Sequence, residues 1–375
     1  MMRVVVAPDK FKGSLSAAQV AAAVAAGIRS VRPDRDVVSA PVADGGDGTV
    51  DAFVAAGWER VAVRATGPTG HPHETSYARR DAAGVVELAS VVGLAALPGG
   101  RPAPLQASTF GLGEVIGAAR AAGVRELSVG VGGSASTDGG AGLLQALGAR
   151  LTDRAGRRIG PGAAGLADLV AVDIAGLPTD VRIELAADVD NPLTGPNGAV
   201  AVFGAQKGIT DPAPVQRSLQ HWADLLGAAT GRDLRTAPGA GAAGGTGFAL
   251  LAALGAQFRP GIDVVLARTG LRDVLRDADL VITGEGSLDE QTLSGKAPVG
   301  VARAAGSATV VAVAGRNLLS VAQARAAGFA AVYPLTELQP DPVRSMRDAA
   351  ALLHRIGARI ATDFGPDQPA SNRAR

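Results

Sequence analysis

Apolar runs and Ala-rich helical stretches alternate along most of the chain. Arg3–Ala7 (RVVVA) is a short β-branched run, and Ser16–Ile28 after it reads as a helix. Leu127–Val131 predicts a buried strand, with a helix near Ala141–Leu147. The rhythm is cleanest towards the end: strand Asp279–Thr283, helix Val299–Ala305, strand Thr309–Ala314, helix Leu319–Ala327, strand Ala331–Pro334. Apolar strands separated by helices predict a parallel sheet covered on both faces. The middle of the chain breaks this rhythm. Arg60–Ala65, Glu74–Arg79 and Gly84–Leu88 are short strand-like runs with no helix between them, and Arg182–Ala187 is another. The pattern therefore predicts an α/β protein of two lobes. One is a parallel sheet flanked by helices and built from both ends of the chain; the other is a mixed α/β domain inserted into it.

Length and composition agree with that reading. The chain has 375 residues, 47% hydrophobic and 19% charged, enough for two cored domains and too apolar for a disordered chain. A net charge of +1 and 3% aromatic residues argue against nucleic-acid and membrane-surface partners. Cysteine is absent, which removes disulfides, thiolate nucleophiles and thiolate-bound metals. The first ten residues lack the apolar core of a signal peptide, and no run of about 18 apolar residues is present. The expectation is a soluble, cytoplasmic protein with no membrane partner. An oligomeric state is not legible, and a homo-oligomer is compatible with the sequence.

Of the 36 basic residues only four are lysines: Lys10, Lys12, Lys207 and Lys296. All four sit in Gly/Ser-rich polar segments rather than in the Arg-rich helices. A compact ammonium does work that a planar guanidinium does poorly, such as meeting a phosphate as a point charge. Lys10, Lys12 and Ser14 follow the first strand and precede its helix, where ligands gather in parallel sheets and where a helix N-terminus attracts anions. Alternatively, the segment is an ordinary helix start capped by Ser14 or Ser16.

Further polar segments recur at comparable places. In Ala43–Thr49 (ADGGDGT), Asp44 and Asp47 stand three apart among glycines and suit a hard cation such as magnesium; a plain Asp-Gly turn is the alternative. Gly130–Gly140 (GVGGSASTDGG) follows a strand and opens a helix. Its match to a dinucleotide glycine pattern is loose, but Gly132, Gly133, Ser134 and the neighbouring hydroxyls suit a phosphate nest. Gly244–Gly247 is expected before a helix and within reach of a phosphate. Asp188 and Asp190 lie just past one apolar run, and Glu285 and Asp289 just past another, with Lys296 following in a segment that fails the P-loop pattern. The four histidines form no ligand set, and no nucleophile-elbow serine is present. Lysines, carboxylates and glycine loops are the inventory of phosphoryl transfer, which depends on charge neutralisation and positioning.

These segments, in this order, resemble the bacterial glycerate kinase family that is unrelated to the common sugar-kinase folds. The resemblance is carried by APDKFKGSLSA (Ala7–Ala17), PVADGGDGT (Pro41–Thr49), STFGLGE (Ser108–Glu114) and GVGGSASTDGGAG (Gly130–Gly142). It continues in ADVDNPLTGPNGA (Ala187–Ala199), FGAQKG (Phe203–Gly208), GAGAAGGTGFAL (Gly239–Leu250) and ITGEGSLDEQTLSGKAP (Ile282–Pro298). Ser136 and Thr137 depart mildly from it, since the family often has another small residue at the first and Asn at the second.

The resemblance implies ATP- and Mg2+-dependent phosphorylation of D-glycerate, with 2-phosphoglycerate the common product. It also implies a two-lobed α/β fold with a Rossmann-like lobe. The pattern puts that lobe over 1–60 plus 275–365, to which part of 105–150 can also belong, and the inserted lobe over 61–274. The polar last ten residues predict a flexible tail over 366–375. Under this reading Lys10 and Lys12 serve the transferred phosphoryl group or the glycerate carboxylate, Asp188 is the base, and Asp44, Asp47 and Glu285 serve magnesium. Ser14, Gly132, Gly133, Ser134 and Lys296 serve nucleotide phosphates, with Asp190 and Asp289 as second choices. Two other classes stay open on sequence alone: an NAD(P)-dependent dehydrogenase of a small hydroxy acid, and a non-catalytic binder of small carboxylates.

Overall fold

The computed structural model describes residues 1–365; the tail expected over 366–375 lies outside them. The chain divides into two compact units. Of the described residues, the first comprises Met1–Asp44, Asp51–Gly57 and 262–365, and the second comprises Gly45–Val50 and Trp58–Gly261.

The first unit is built on a parallel sheet in the order Ala331–Pro334, Thr309–Asn317, Leu280–Leu288, Arg3–Pro8, Asp36–Ser39. Val4, Val5, Val6 and Ala7 are fully buried, as expected of a central strand covered on both faces. One covering layer is the helix Ala17–Val31. Its N-terminus is fixed by a capping box in which the Gln19 amide donates to Ser16 Oγ (3.3 Å) and the Ser16 amide donates to Gln19 Oε1 (2.9 Å). Its buried face, Val20, Val24 and Ile28, packs with Leu353, Ile356 and Ile360 of the C-terminal helix Ala349–Asp363.

The second unit has a six-stranded mixed sheet in the order Gln257–Pro260, Arg182–Ala187, Glu126–Gly130, Ala83–Glu87, Pro72–Arg80, Glu59–Thr66. The first four strands run parallel, and the last two are joined through antiparallel pairings, Pro72–Arg80 with Ala83–Glu87 and with Glu59–Thr66. The helices Phe110–Ala121, Pro212–Thr230 and Ala242–Ala253 contribute to its core, which includes the fully buried Trp222 and Phe248. With a further antiparallel pair, Arg150–Thr152 and Ala171–Asp173, the protein is α/β with one large parallel and one large mixed sheet, as the pattern predicts.

One difference bears on the site. The sequence places Glu285 beyond the end of its strand, yet Leu280–Leu288 continues through it, with Glu285 opposite Ala314. Gly284, Glu285 and Gly286 have little strand propensity of their own. The neighbouring strand Thr309–Asn317 imposes the extended conformation through the ladder.

Candidate active site

In the first unit, three chain segments meet at the carboxyl end of the parallel sheet. The Asp9 amide donates to the Gly284 carbonyl (2.8 Å), which sets Asp9 beside Glu285, and the Val42 amide donates to the Pro8 carbonyl (3.0 Å), which leads the chain to Asp44. Asp9 is buried, and Asp44 and Glu285 are half-buried. Burial pushes the Asp9 carboxyl far above the usual carboxylate range; Asp44 pushes it the same way, and Lys10 opposes them. Glu285 is raised by burial as well, against the lowering effects of its bond from Thr292 Oγ1 (2.6 Å) and of Lys296. Thr292 is held by the short helix Glu290–Leu293, which Asp289 caps. Asp289 therefore has a structural task as the cap of that turn. Asp9, which sequence reasoning left out of the site, is the most buried of these acids. Nothing in the string APDKF signals that Gly284 lies alongside.

The other expected groups of this unit are placed as follows. Lys10 is half-buried and Lys12 is exposed. Ser14 donates its hydroxyl to the Met346 carbonyl (2.6 Å), while Ser16 is the helix cap. Lys296 donates a long bond to Gln291 (3.4 Å) and stands just before the helix Ala297–Ala304, with no side-chain capping bond to it.

The second unit has its own cluster at the carboxyl ends of its parallel strands. The Gly132 amide donates to the Gly45 carbonyl (3.1 Å), so the Gly45–Val50 segment lies against the Gly130–Gly132 backbone. A Cβ at Gly132 would come within 2.7 Å of Gly46 Cα, and one at Gly130 within 2.6 Å of the Gly45 carbonyl oxygen. Close backbone packing therefore explains these two glycines, whose spacing otherwise looks like part of a dinucleotide motif. Buried Glu87 accepts from the Val50 amide (3.0 Å) at the other end of the same segment. Asp47 is exposed on this segment; Asp44 belongs to the first unit. Gly133 takes the left-handed conformation (φ 75°), and Asp188 follows strand Arg182–Ala187 half-buried. Asp190 is exposed.

Deeper in this unit stands a lysine the sequence did not place in the site. Lys207 is 3% exposed, and its ammonium donates to Ser134 Oγ (2.6 Å) and to the Ser136 carbonyl (2.6 Å). Burial pulls it down to about 7, and Asp138 works in the opposite direction. Asp138 itself is fully engaged, accepting from the Thr109 amide and hydroxyl (2.8 Å each) and from the Gly140 (3.1 Å) and Gly142 (3.3 Å) amides. The hydroxyls of Ser136 and Thr137 are buried without a hydrogen-bond partner. Gly244 closes the cluster within a left-handed stretch, Ala243–Gly245, that interrupts the helix Ala242–Ala253; the sequence expected this stretch ahead of a helix. A Cβ there would sit 2.2 Å from the Ser136 carbonyl oxygen and 3.0 Å from Lys207 Nζ. The sequence signals for Lys207 are the scarcity of lysine and its place in the FGAQKG segment.

Among the described residues no group of three or more His, Asp or Glu side chains is arranged to enclose a metal ion. The first unit's carboxylates nevertheless fit a hard cation that keeps its waters and takes one or two carboxylates plus phosphate oxygens. They are oxygen donors, and burial together with neighbouring negative charge disfavours the ionised forms of Asp9 and Glu285, which a cation would restore. Among the described residues no helix is long and apolar enough to cross a membrane.

Carboxylates and lysines at the strand ends of a parallel sheet are the residue types that the phosphotransferase class uses. The comparisons name the family. The profile of the glycerate kinase family matches residues 4–365. Glycerate kinase of Bacillus subtilis (strain 168) is 47% identical over 324 residues, 84% of this chain and 85% of that protein. Glycerate 2-kinase of Escherichia coli (strain K12) is 44% identical over 313 residues, 81% and 82% of the two chains. A crystal structure from Salmonella typhimurium LT2, provisionally titled glycerate kinase 2, superposes with a TM-score of 0.82 at 41% identity, covering 96% of this chain and 97% of that one. The chain belongs to the glycerate kinase family, and it is a phosphotransferase enzyme.

Proposed function

We propose that the protein phosphorylates D-glycerate with ATP and Mg2+, giving 2-phosphoglycerate and ADP. The observation that carries this reading is the set of Asp9, Asp44 and Glu285 carboxylates at the carboxyl end of a parallel sheet, with Lys10 and Lys296 acting on them electrostatically, in a chain of this family. Asp44 and Glu285 would hold the magnesium, which would supply neutralisation of charge on the phosphates; Asp47, expected with them, is exposed on the second unit's Gly45–Val50 segment. Lys10 and Lys12 meet the transferred phosphoryl group or the glycerate carboxylate as point charges. Asp188 orients the acceptor hydroxyl and accepts its proton as that oxygen bonds to the γ-phosphorus and the bond to ADP breaks. Gly133, Ser134 and Lys296 serve the nucleotide phosphates, while Gly132 and Ser14, expected to join them, donate instead to the Gly45 and Met346 carbonyls. The 2-phosphate is favoured because the Escherichia coli relative is named a glycerate 2-kinase.

The test couples ATP, Mg2+ and D-glycerate to enolase with no phosphoglycerate mutase present. Signal under those conditions is the expected result. Signal only after mutase is added assigns the 3-phosphate and overturns the product, and no product in either arm overturns the whole reading.

A further inference from the structure

Lys207 is a buried cation without an ion pair among the described residues. An ammonium has three N–H donors, and two are used: one on Ser134 Oγ and one on the Ser136 carbonyl, both at 2.6 Å. Ser134 accepts from Lys207 and, among the described residues, donates its own hydroxyl proton to nothing. A hydroxyl that accepts from an ammonium is polarised, and its proton becomes a stronger donor. The surrounding loop is rigidly held. The Gly132 amide is bonded to Gly45, the Gly133 carbonyl accepts from Leu94 (2.9 Å), the Ala135 amide donates to Val92 (3.1 Å), and the Gly139 amide donates to Gly244 (3.0 Å). Ser134 is thus a fixed donor with a buried positive charge behind it. Keeping that charge out of water has a cost that no carboxylate contact offsets. Neighbouring Ser136 and Thr137 add buried hydroxyls without partners.

We propose that Lys207 is a positioning residue for nucleotide binding: it holds and polarises Ser134, whose hydroxyl passes the lysine's charge to a phosphate oxygen that the ammonium itself does not touch. This rests on the reading of Gly132–Ser134 as the phosphate loop and deepens it by naming the source of its positive charge. Asp138 is the ionisable group facing Lys207 from the loop. The 199–208 segment and the 241–247 turn, which pack on the same lysine, carry no other ionisable side chain. A bound phosphate adds a second negative charge, so binding favours the protonated lysine and draws in a proton when the pH is above its titration.

The test is calorimetric titration of the full chain with ADP and Mg2+ at pH 7 and pH 9, on the wild type, K207M, S134A and the double variant. Expected is a loss of about ten- to a hundred-fold in affinity for each single variant, the range for a hydrogen bond to a charged group. The double variant should be no weaker than the worse single one, because both changes cut the same relay. The wild type should bind more weakly at pH 9 than at pH 7, and neither single variant should show that difference. The KM for glycerate should stay within about two-fold of wild type wherever turnover is measurable, since only the nucleotide side is touched. If K207M does not fold, S134A carries the same comparison, because it keeps the lysine and removes the relay. Losses that add in the double variant, or a pH effect that survives in S134A, overturn the relay and leave Lys207 a structural lysine. A wild type that turns over ATP and glycerate while K207M and S134A bind ADP normally overturns the relay alone. A wild type that binds no nucleotide overturns the phosphotransfer reading as well.

Discussion

The two units solve opposite electrostatic problems with the same device. In the first, Asp9, Asp44 and Glu285 crowd negative charge at the end of a sheet, and burial raises Asp9 and Glu285. In the second, Lys207 is buried behind neutral hydroxyls and its affinity for a proton falls. Each cluster holds charge that water would otherwise stabilise, and each is improved by a ligand of the opposite sign: a cation in one, an anionic oxygen in the other. Replacing buried ionisable groups with apolar ones is often neutral or stabilising for a fold. Perturbed ionisable groups of this kind cluster at functional sites more often than in plain scaffold.

The largest expected effect breaks the acidic half. Asp44→Asn should lower kcat/KM by about 100-fold, the scale of removing one preorganised electrostatic group, and should raise the magnesium concentration needed for half-maximal rate. Steady-state assays over a magnesium series check this, and an unchanged magnesium requirement would remove Asp44 from the metal. Next comes the pH dependence of stability, which should differ in sign between the clusters. Asp9 is an acid with a raised folded value. Its contribution to stability is present below the ordinary aspartate range and is lost as pH rises through its own raised value. Lys207 is a base lowered from 10.5 to about 7, so its contribution is present above 10.5 and is lost as pH falls to about 7. In denaturant melts across pH, Asp9→Asn should flatten the acidic limb of the profile and Lys207→Met the alkaline limb; the reverse assignment would refute the contrast. The smallest effect is a control. Arg182 pairs with Glu126 across adjacent strands, yet its side chain is 84% exposed, so Arg182→Ala should shift stability by less than about 1 kcal/mol in the same melts.

Much of the scaffold is readable from the string because local and global preferences agree. RVVVA and TVVAVA are β-branched runs that are buried where they fall, and Ser16 with Gln19 announces its own helix. Elements imposed by tertiary context are not readable. Gln257–Pro260 is a short strand at the sheet edge that ends in proline, and Gly284–Ser287 is extended only because its neighbour is. The same division holds for the site. Lysine scarcity points to the right kind of residue, but whether a lysine is solvated, like Lys12, or sealed, like Lys207, depends on segments far apart in sequence. Asp9 stands beside Glu285 through the pairing of Arg3–Pro8 with Leu280–Leu288, almost 280 positions away along the chain.

The Gly45–Val50 segment belongs to the second unit although Asp44 before it and Asp51 after it belong to the first. The backbone therefore passes from one unit to the other at four places rather than two. No single pair of breakpoints lifts the second unit out whole, since excising 58–261 strips Gly132 and Glu87 of their Gly45 and Val50 partners. A recombination event carrying that stretch to another host would deliver a sheet lacking the strip that covers its strand ends, so this lobe is inherited only along with the frame it interrupts.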